Sequence, residues 1–438
     1  MHQIADLHIH SKYSRSCSKD LELPKIAQWC EWKGINLVST GDFTHPKWLA
    51  EIKNNLESDG NGFYKLKDAS VMVRQAHHDT SASANVTLSL SKGDVRFILG
   101  TEISSIYKQG DKCRRIHTCI YFPSIEDVEK FNEHLEKLGC NLKSDGRPIV
   151  KLSVKELAEI SLNINPKALI IPAHAWTPWF SVFGSKSGFD TLEEAFEEFT
   201  PYIYAIETGL SSDPLMNWHL SALDNVMLVS NSDAHSPANL GREANIFEMT
   251  EFTYDELWNI LKNRDKKKFL STVEFFPEEG KYHYDGHANC GVSLLPEQTE
   301  KNKGLCPVCK KPLVVGVFNR VFKLADRKET EIDKSKFVPY KSLVPLQEII
   351  AEAFDQGKGS KKVQTEYFNL IKKHTEFEIL LDLSIEEIKK LTDPIIAEGI
   401  KRVREGSLHI EPGYDGVYGV VKIFNDKERK GFEQTKLI

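Results

Sequence analysis

The sequence predicts an α/β protein: a barrel of parallel strands, then a small cysteine-containing block, then a mainly helical C-terminal part. Three observations lead there. Over the first 270 residues, short apolar runs alternate with segments of helical period. Such alternation implies parallel pairing through right-handed crossovers, and about seven such runs suggest a closed (β/α) barrel or something near it. The texture then changes near residues 276 and 330. A chain of 438 residues also exceeds what one ordinary core holds. The expected divisions are residues 1–275, 276–330 and 331–438.

The strand candidates, in order, are "QIADLHIH", "INLVST", "VRFILGTEIS", "RIHTCIYFP", "KALIIPAHA", "YIYAIET" and "NVMLVSNSDAH". Helical period marks "LPKIAQWCEWKG", "SIEDVEKFNEHLEKLG" and "SVKELAEISLNI" between them. The Ser/Thr-rich stretch 60–94 breaks the rhythm and reads as a long inserted loop. His77 and His78 within it are expected to be solvated. Beyond residue 330, "PLQEIIAEAFDQG", "KKVQTEYFNLIKKHTEFEILLDL" and "SIEEIKKLTDPIIAEGIKRVREG" read as helices, and "HIEPGYDGVYGVVKIF" as a hairpin.

A net charge of −6 argues against an indiscriminate polyanion binder but leaves room for a local basic patch. No run approaches the ~20 apolar residues of a membrane span. The N-terminal residues lack the charged-then-apolar pattern of a secretory signal. The expectation is a cytoplasmic protein. Cys17, Cys30, Cys113, Cys119 and Cys140 are scattered, as small core residues of a reducing compartment are.

The chemistry lies at the strand ends. The first run carries His8 and His10, the second Asp42 and His45, the third Glu102 and the fourth His117. "IIPAHAW" carries His174, and "VSNSDAHS" carries Asp233 and His235. Residues i and i+2 on a strand point the same way, so His8 with His10, and Asp233 with His235, can converge. In a parallel barrel the strand C-termini share one face. Neutral imidazoles and carboxylates there suit zinc, manganese or iron. These nine groups exceed one tetrahedral ion, so two or three ions are implied, with Glu102 as a natural bridge. A single histidine at a strand end is ordinarily structural; nine groups together are not. Paired ions activate water and clamp a phosphoryl group, which makes phosphoester hydrolysis the reaction class.

"DLHIHSKYS", "GDFTH", "GTEIS", "PAHAW" and "SDAH" resemble, in order, the motifs of the PHP (polymerase and histidinol phosphatase) superfamily. The resemblance covers roughly residues 1–270 and implies a distorted (β/α)7 barrel with metal-dependent phosphoesterase activity. It implies one ion on His8, His10, Glu102 and Asp233, a second on Glu102, His117 and His174, and a third on His235 with the second-motif residues Asp42 and His45. Two departures stand out. His45 lies three residues after Asp42, where many relatives have an adjacent Asp-His pair. Lys12, Ser14 and Arg15 stand where many have a further histidine.

A second cluster follows. "CPVC" supplies Cys306 and Cys309, and "HANC" supplies His287 and Cys290, with fifteen residues between the pairs. This spacing signals a structural zinc ion, with His283 as the alternative fourth ligand. Lys310, Lys311, Arg320, Lys323 and Arg327, interleaved with Phe318 and Phe322, form either a solvated face or a track for a phosphate backbone.

The order of a PHP region, "KYHYDGHANCGV", "CPVCKKPLVVGVFNRV" and "EPGYDGVYG" is similar to the endonuclease Q family over nearly the full length. That resemblance implies a lesion-specific DNA endonuclease. It would hydrolyse the phosphodiester 5′ to deaminated bases (uracil, hypoxanthine, xanthine) or abasic sites. The catalytic set would be Asp233, Glu102 and His10. Two or three divalent ions (Zn2+, Mn2+ or Mg2+) and one structural Zn2+ would be bound. Reading a damaged base requires its extrusion from the stack, for which Trp48, Trp176, Trp179 and Phe180 are stacking candidates and Arg242 a further substrate contact. The alternatives are a PHP phosphatase for a small phosphomonoester and a non-catalytic nucleic-acid module. The zinc block and long C-terminal part speak against the former, and the intact ligand set against the latter. The terminal Gln434–Ile438 stretch resembles peptides that dock on bacterial sliding clamps, making a clamp a candidate partner.

Overall fold

The computed structural model describes residues 2–67, 95–425 and 428–429. His77, His78 and the Gln434–Ile438 stretch lie outside the described residues. The strands are β1 (His2–Asp6), β2 (Leu37–Ser39), β3 (Leu56–Ser58), β4 (Tyr64–Leu66), β5 (Arg96–Gln109), β6 (Lys112–Phe122), β7 (Ile149–Val150), β8 (Leu169–Pro172), β9 (Ala205–Glu207), β10 (Met227–Val229), β11 (Ala244–Glu248) and β12 (Phe269–Glu274). They continue with β13 (Asp285–His287), β14 (Val292–Leu294), β15 (Tyr340–Ser342), β16 (His409–Glu411) and β17 (Val420–Lys422).

Each of the seven apolar runs contains a strand, but the expected parallel pairing fails at the third and fourth. β5 and β6 form one long antiparallel hairpin, in register from Leu99 opposite Phe122 to Gln109 opposite Lys112. Only Gly110 and Asp111 separate them, whereas a parallel crossover needs about a dozen residues or more. Gly110 takes the left-handed conformation the tight turn requires (φ 61°). β6 then pairs antiparallel with β8. β1, β2 and β5 are parallel neighbours, as are β9 and β10.

Among the described residues the backbone ladders do not run as an uninterrupted ring. β1 is flanked by β2 and by the antiparallel β11, which continues through β12 to β15. β10 reaches β1 through a side chain: Asn231 Oδ1 accepts from Leu7 N at 2.8 Å. Just beyond, His10 N donates to Ala234 O at 3.2 Å. The result is a mixed α/β fold whose strand ends after β1, β2, β8, β9 and β10 still meet on one side. Among the described residues no helix is long and apolar enough to cross a membrane.

The C-terminal helices pack directly on this sheet's helical layer. Helix Leu23–Lys33 buries Ile26 and Cys30 in one apolar cluster with Ile349 and Tyr367 of helices Leu346–Ala353 and Lys361–Ile371. Gly34, which ends the first helix at φ 88°, lies so close that a Cβ there would sit 2.7 Å from Thr375 Oγ1. The periodic stretch after residue 384 divides into helices Ile385–Leu391 and Pro394–Glu405, because Asp393 caps the second and Pro394 occupies its first turn.

A buried ion pair crosses this junction. Lys33 Nζ lies 3.1 Å from Glu376 Oε2, with side chains only 4% and 5% exposed. Glu376 also accepts from Leu346 N at 3.0 Å and from the Tyr367 hydroxyl at 2.7 Å. Removing one member of such a pair strands the other charge, at a cost of about 3–5 kcal/mol, whereas a well-packed apolar pair is often nearly neutral. Glu376→Ala is therefore expected to destabilise the protein strongly and Lys33→Met/Glu376→Leu to restore most of the loss, checked by urea unfolding.

Candidate metal centres

Two sets of side chains meet at the strand ends: His8, His10 and Asp233, and beside them Glu102, His117 and His174. In each set the ligating atoms lie within 4.8 Å of one another. Glu102 touches both sets. Its Oε1 is 2.7 Å from His117 Nδ1 and 3.2 Å from His174 Nε2, and its Oε2 is 3.4 Å from His10 Nε2 and 3.7 Å from His8 Nε2.

The strongest sign of a bound cation is what these atoms lack. His8 Nε2, His10 Nε2 and Asp233 Oδ1 are buried without a hydrogen-bond partner, a costly state unless another ligand completes it. His10 Nε2 and Asp233 Oδ1 approach to 3.0 Å but are out of line for a hydrogen bond. The other ring nitrogens are occupied. His10 Nδ1 lies 3.0 Å from Asp42 Oδ1, and His8 Nδ1 lies 3.0 Å and 3.1 Å from the two Glu207 oxygens. A carboxylate that takes the Nδ1–H of a histidine leaves Nε2 as a lone pair, the form a metal needs. Without an ion the same crowding acts on protons: burial pulls His10 down, but Asp42 and Asp233 outweigh it and hold it at about 9. The donor set therefore fits divalent metal ions of the kind bound by imidazole and carboxylate.

Local backbone conformation aims these groups. Asp42, His174 and Asp233 all have positive φ (50°, 30° and 45°), a strained choice for non-glycine residues that clusters at functional sites. Gly209 makes room for His174: a Cβ there would lie 2.5 Å from the His174 Cβ.

Several expected roles change. Asp42 does not face the ligand sets as a donor; its oxygens accept from His10, from Ser11 N at 2.6 Å and from Ser14 Oγ at 2.9 Å, so it orients His10. His45 stacks on Tyr13 with ring centroids 4.5 Å apart. His235 hydrogen-bonds the Asp233 carbonyl at 2.8 Å and packs against His10. Neither joins a ligand set, so the third expected site is not assembled among the described residues. Trp48 is fully buried, donating to the Thr40 and Gly41 carbonyls, and Trp176 is fully buried, donating to Asn217. Neither can stack on a base. Arg242 Nε donates to Ser232 O at 2.9 Å and steadies the backbone before Asp233.

Trp179 and Phe180 do reach the rim. Trp179 is 40% exposed and meets Tyr282 edge-on, and the Phe180 ring lies 4.7 Å from that of His117. A cavity of about 320 Å³ opens there, lined by His174, Asp233, Lys281, Tyr282 and Tyr418 among others.

Two residues of this centre escaped the sequence reading. Glu207 ends its strand just as Glu102 lies on its own, and besides His8 it accepts from His174 N at 2.7 Å and Asn231 Nδ2 at 2.9 Å. Its signal was a terminal acid on an apolar run. Arg147, whose Nη1 lies 3.1 Å from Glu102 Oε2, sits in a non-periodic connection that carried no signal.

Behind Glu207 lies a second pair of buried acids. Thr208 and Ser230 hydroxyls donate to Glu274 Oε2 at 2.9 and 3.1 Å. Burial pushes Glu274 up to about 8 despite these donors, and burial with the nearby Glu274 raises Glu243 well above the carboxylate range. A raised folded-state value means stability that is complete below the unfolded-state value and lost as pH rises through the folded one. Unfolding free energy should therefore fall between pH ~5 and ~8, by at most about 1.4 kcal/mol per pH unit for one proton. Glu274→Gln should flatten that fall in denaturant titrations.

The cysteine block closes as a separate cluster. His287, Cys290, Cys306 and Cys309 present ligating atoms within 4.8 Å of one another, and Cys309 Sγ is 3.8 Å from His287 Nε2. A tetrahedral zinc ion with ~2.3 Å bonds to sulfur sets its ligands about 3.8 Å apart. His283 is buried instead against Phe318. Of the five basic residues near the block, Arg320 turns inward to the Phe183 and Phe189 carbonyls, and Arg327 pairs with Asp224. Of the two alternatives there, the phosphate track is left with Lys310, Lys311 and Lys323.

The family model "MJ0043 C-terminal domain" matches residues 345–407. The protein YqxK of Bacillus subtilis (strain 168) is 28% identical over 440 residues, covering 95% of this chain and 98% of that one. The structure of an endonuclease Q in complex with a 27-mer duplex substrate bearing an abasic lesion at the active site is 31% identical, with a TM-score of 0.80 over 98% of both chains. The lesion-specific endonuclease PfuEndoQ from Pyrococcus furiosus is 31% identical, with a TM-score of 0.81, over 100% of this chain and 99% of its own. With a relative that similar matched from end to end, around a centre of this composition, the chain belongs to the endonuclease Q family.

Proposed function

We propose that the protein is a DNA-repair endonuclease that hydrolyses the phosphodiester on the 5′ side of a damaged nucleotide, either a deaminated base (uracil, hypoxanthine, xanthine) or an abasic site. The observation that carries this reading is the pair of adjacent ligand sets with Glu102 of one reaching to 3.4 Å of His10 in the other, and the orphaned Nε2 atoms of His8 and His10 facing Asp233. The abasic duplex bound by its relative supports DNA as the substrate.

His8, His10 and Asp233 would hold one divalent ion and Glu102, His117 and His174 another. Such ions supply water activation and charge neutralisation on the phosphoryl oxygens. The rest is work for the chain. Asp42 and Glu207 hold the His10 and His8 rings in the tautomer that leaves Nε2 unprotonated. The cavity beside Trp179 and Tyr282 offers an extruded nucleotide a place outside the stack. We assign residues 1–275, read as a distorted (β/α)7 barrel, to hydrolysis, residues 276–330 to the structural Zn2+ block and residues 331–438 to DNA binding.

The test uses duplexes with one deoxyuridine, deoxyinosine, deoxyxanthosine or abasic site, with added Zn2+, Mn2+ or Mg2+. A nick directly 5′ to the lesion, leaving 3′-hydroxyl and 5′-phosphate ends, is the expected result. Uncut lesion duplexes together with phosphate release from small phosphomonoesters would sink the reading.

A further inference from the structure

The connection that carries Arg147 is fastened on all sides. Gly146 N donates to Tyr13 O at 3.1 Å, and Gly146 O accepts from Thr44 Oγ1 at 3.3 Å. Arg15 N and Arg147 N both donate to Asp145 Oδ1, at 3.3 and 3.2 Å. Pro148 O accepts from Ser104 N at 3.0 Å, and β7 then pairs in parallel with β5 just past Glu102. Gly146 is pressed against the carboxylate that orients His10: a Cβ there would sit 2.3 Å from Asp42 Oδ2. One short segment is thus locked to the first strand's loop, the second motif and the strand bearing Glu102.

Its product is a guanidinium placed at the centre. Arg147 Nη1 lies 3.1 Å from Glu102 Oε2, and the side chain keeps 24% exposure. Among the described residues that contact is the side chain's one hydrogen bond, while a guanidinium has five N–H donors. A fixed cation beside Glu102, a carboxylate of one ligand set that also touches the other, competes with metal ions for that carboxylate. It is a costly neighbour if metal binding is the centre's whole task, and a useful one if an anion must also be received. A phosphodiester oxygen pair matches the guanidinium fork.

We propose that Arg147 is a catalytic residue that binds the non-bridging oxygens of the scissile phosphodiester. This rests on the endonuclease reading above. As a water oxygen forms its bond to phosphorus and the bond from phosphorus to the 3′-oxygen breaks, negative charge builds on those oxygens, and Arg147 holds it. The proton given up by water is balanced by the one the departing 3′-oxygen takes up. Because the charge is greater in the transition state than in the bound substrate, the contact favours kcat over binding.

The experiment combines kinetics, metal analysis and a neutral-linkage probe. Arg147→Ala should lower kcat by about 10²–10³-fold, as for the loss of one oxyanion donor, with a much smaller loss of substrate binding and metal content per chain unaltered. Arg147→Lys should recover part of the rate, and millimolar guanidinium should rescue Arg147→Ala but not the parent. In an Asp233→Asn background, a methylphosphonate at the scissile position should weaken binding of lesion duplex. The same substitution should make no difference when Arg147→Ala is added. Metal loss in proportion to lost activity, no response to guanidinium, or equal methylphosphonate penalties would overturn the assignment. If the parent nicks lesion DNA and Arg147→Ala nicks as fast, only this inference falls. If the parent nicks none, the endonuclease reading falls and takes the inference with it.

Discussion

Asp233→Asn should abolish nicking, lowering kcat by at least about a thousandfold, the equivalent of roughly 4 kcal/mol of transition-state stabilisation. Melting temperature and affinity for lesion duplex should stay near those of the parent. The substitution keeps shape and removes charge. Asp233 sits at φ 45°, a conformation asparagine tolerates as readily as aspartate, so the backbone has no reason to move. Its Oδ1 lies 3.0 Å from His10 Nε2 and 3.8 Å from His8 Nε2, and an amide oxygen there loses the negative charge that makes the trio a cation site. Elemental analysis should show depleted ions at the strand-end centre. A variant as active as the parent would rule out this centre as the hydrolytic one.

Cys309→Ser should remove one equivalent of zinc per chain and melt the local structure around it, with a large drop in thermal stability of that part. The reason is how little else holds the block together. β13 and β14 are three-residue strands, helix Pro296–Lys301 is short, and Val308 between the two knuckle cysteines is 67% exposed. In segments so poor in core, zinc binding, worth about 10–16 kcal/mol in small zinc peptides, is folding energy. Lys310 and Lys311 lose their fixed placement along with the knuckle. The salt dependence of DNA binding should therefore become shallower, by up to about 2 in the log–log slope. Unchanged zinc content and an unchanged melting curve would remove the structural-zinc assignment.

The seven apolar runs were legible because their period and bounding turns are local properties, and the strand-end histidines because i, i+2 spacing needs no tertiary knowledge. What sequence could not tell is which way a carboxylate turns. Asp42 and Asp233 read alike, yet Asp42 turns back to the His10 ring and Asp233 joins the ligands, a choice made by neighbours such as Ser11 and Gly146. Trp48 and Trp179 likewise both follow strand ends. The Pro46–Asn55 helix rolls the first into the core, and the second sits on an exposed turn. The β5–β6 hairpin was readable, since "KQGDK" is too short for a crossover, but alternation elsewhere pulled the assignment toward parallel.

The shared apolar cluster and the Lys33–Glu376 pair set an order of events during synthesis. Helix Leu23–Lys33 is made early, yet the helices that cover it come about 340 residues later. At roughly 5–20 residues per second the wait is on the order of 20–70 s. For that interval the part of the helix that meets Ile349 and Tyr367 lacks those partners, and Lys33 lacks the Glu376 carboxylate. The junction therefore reaches its native packing only once the residues up to Glu376 have been made, long after the helix itself has formed.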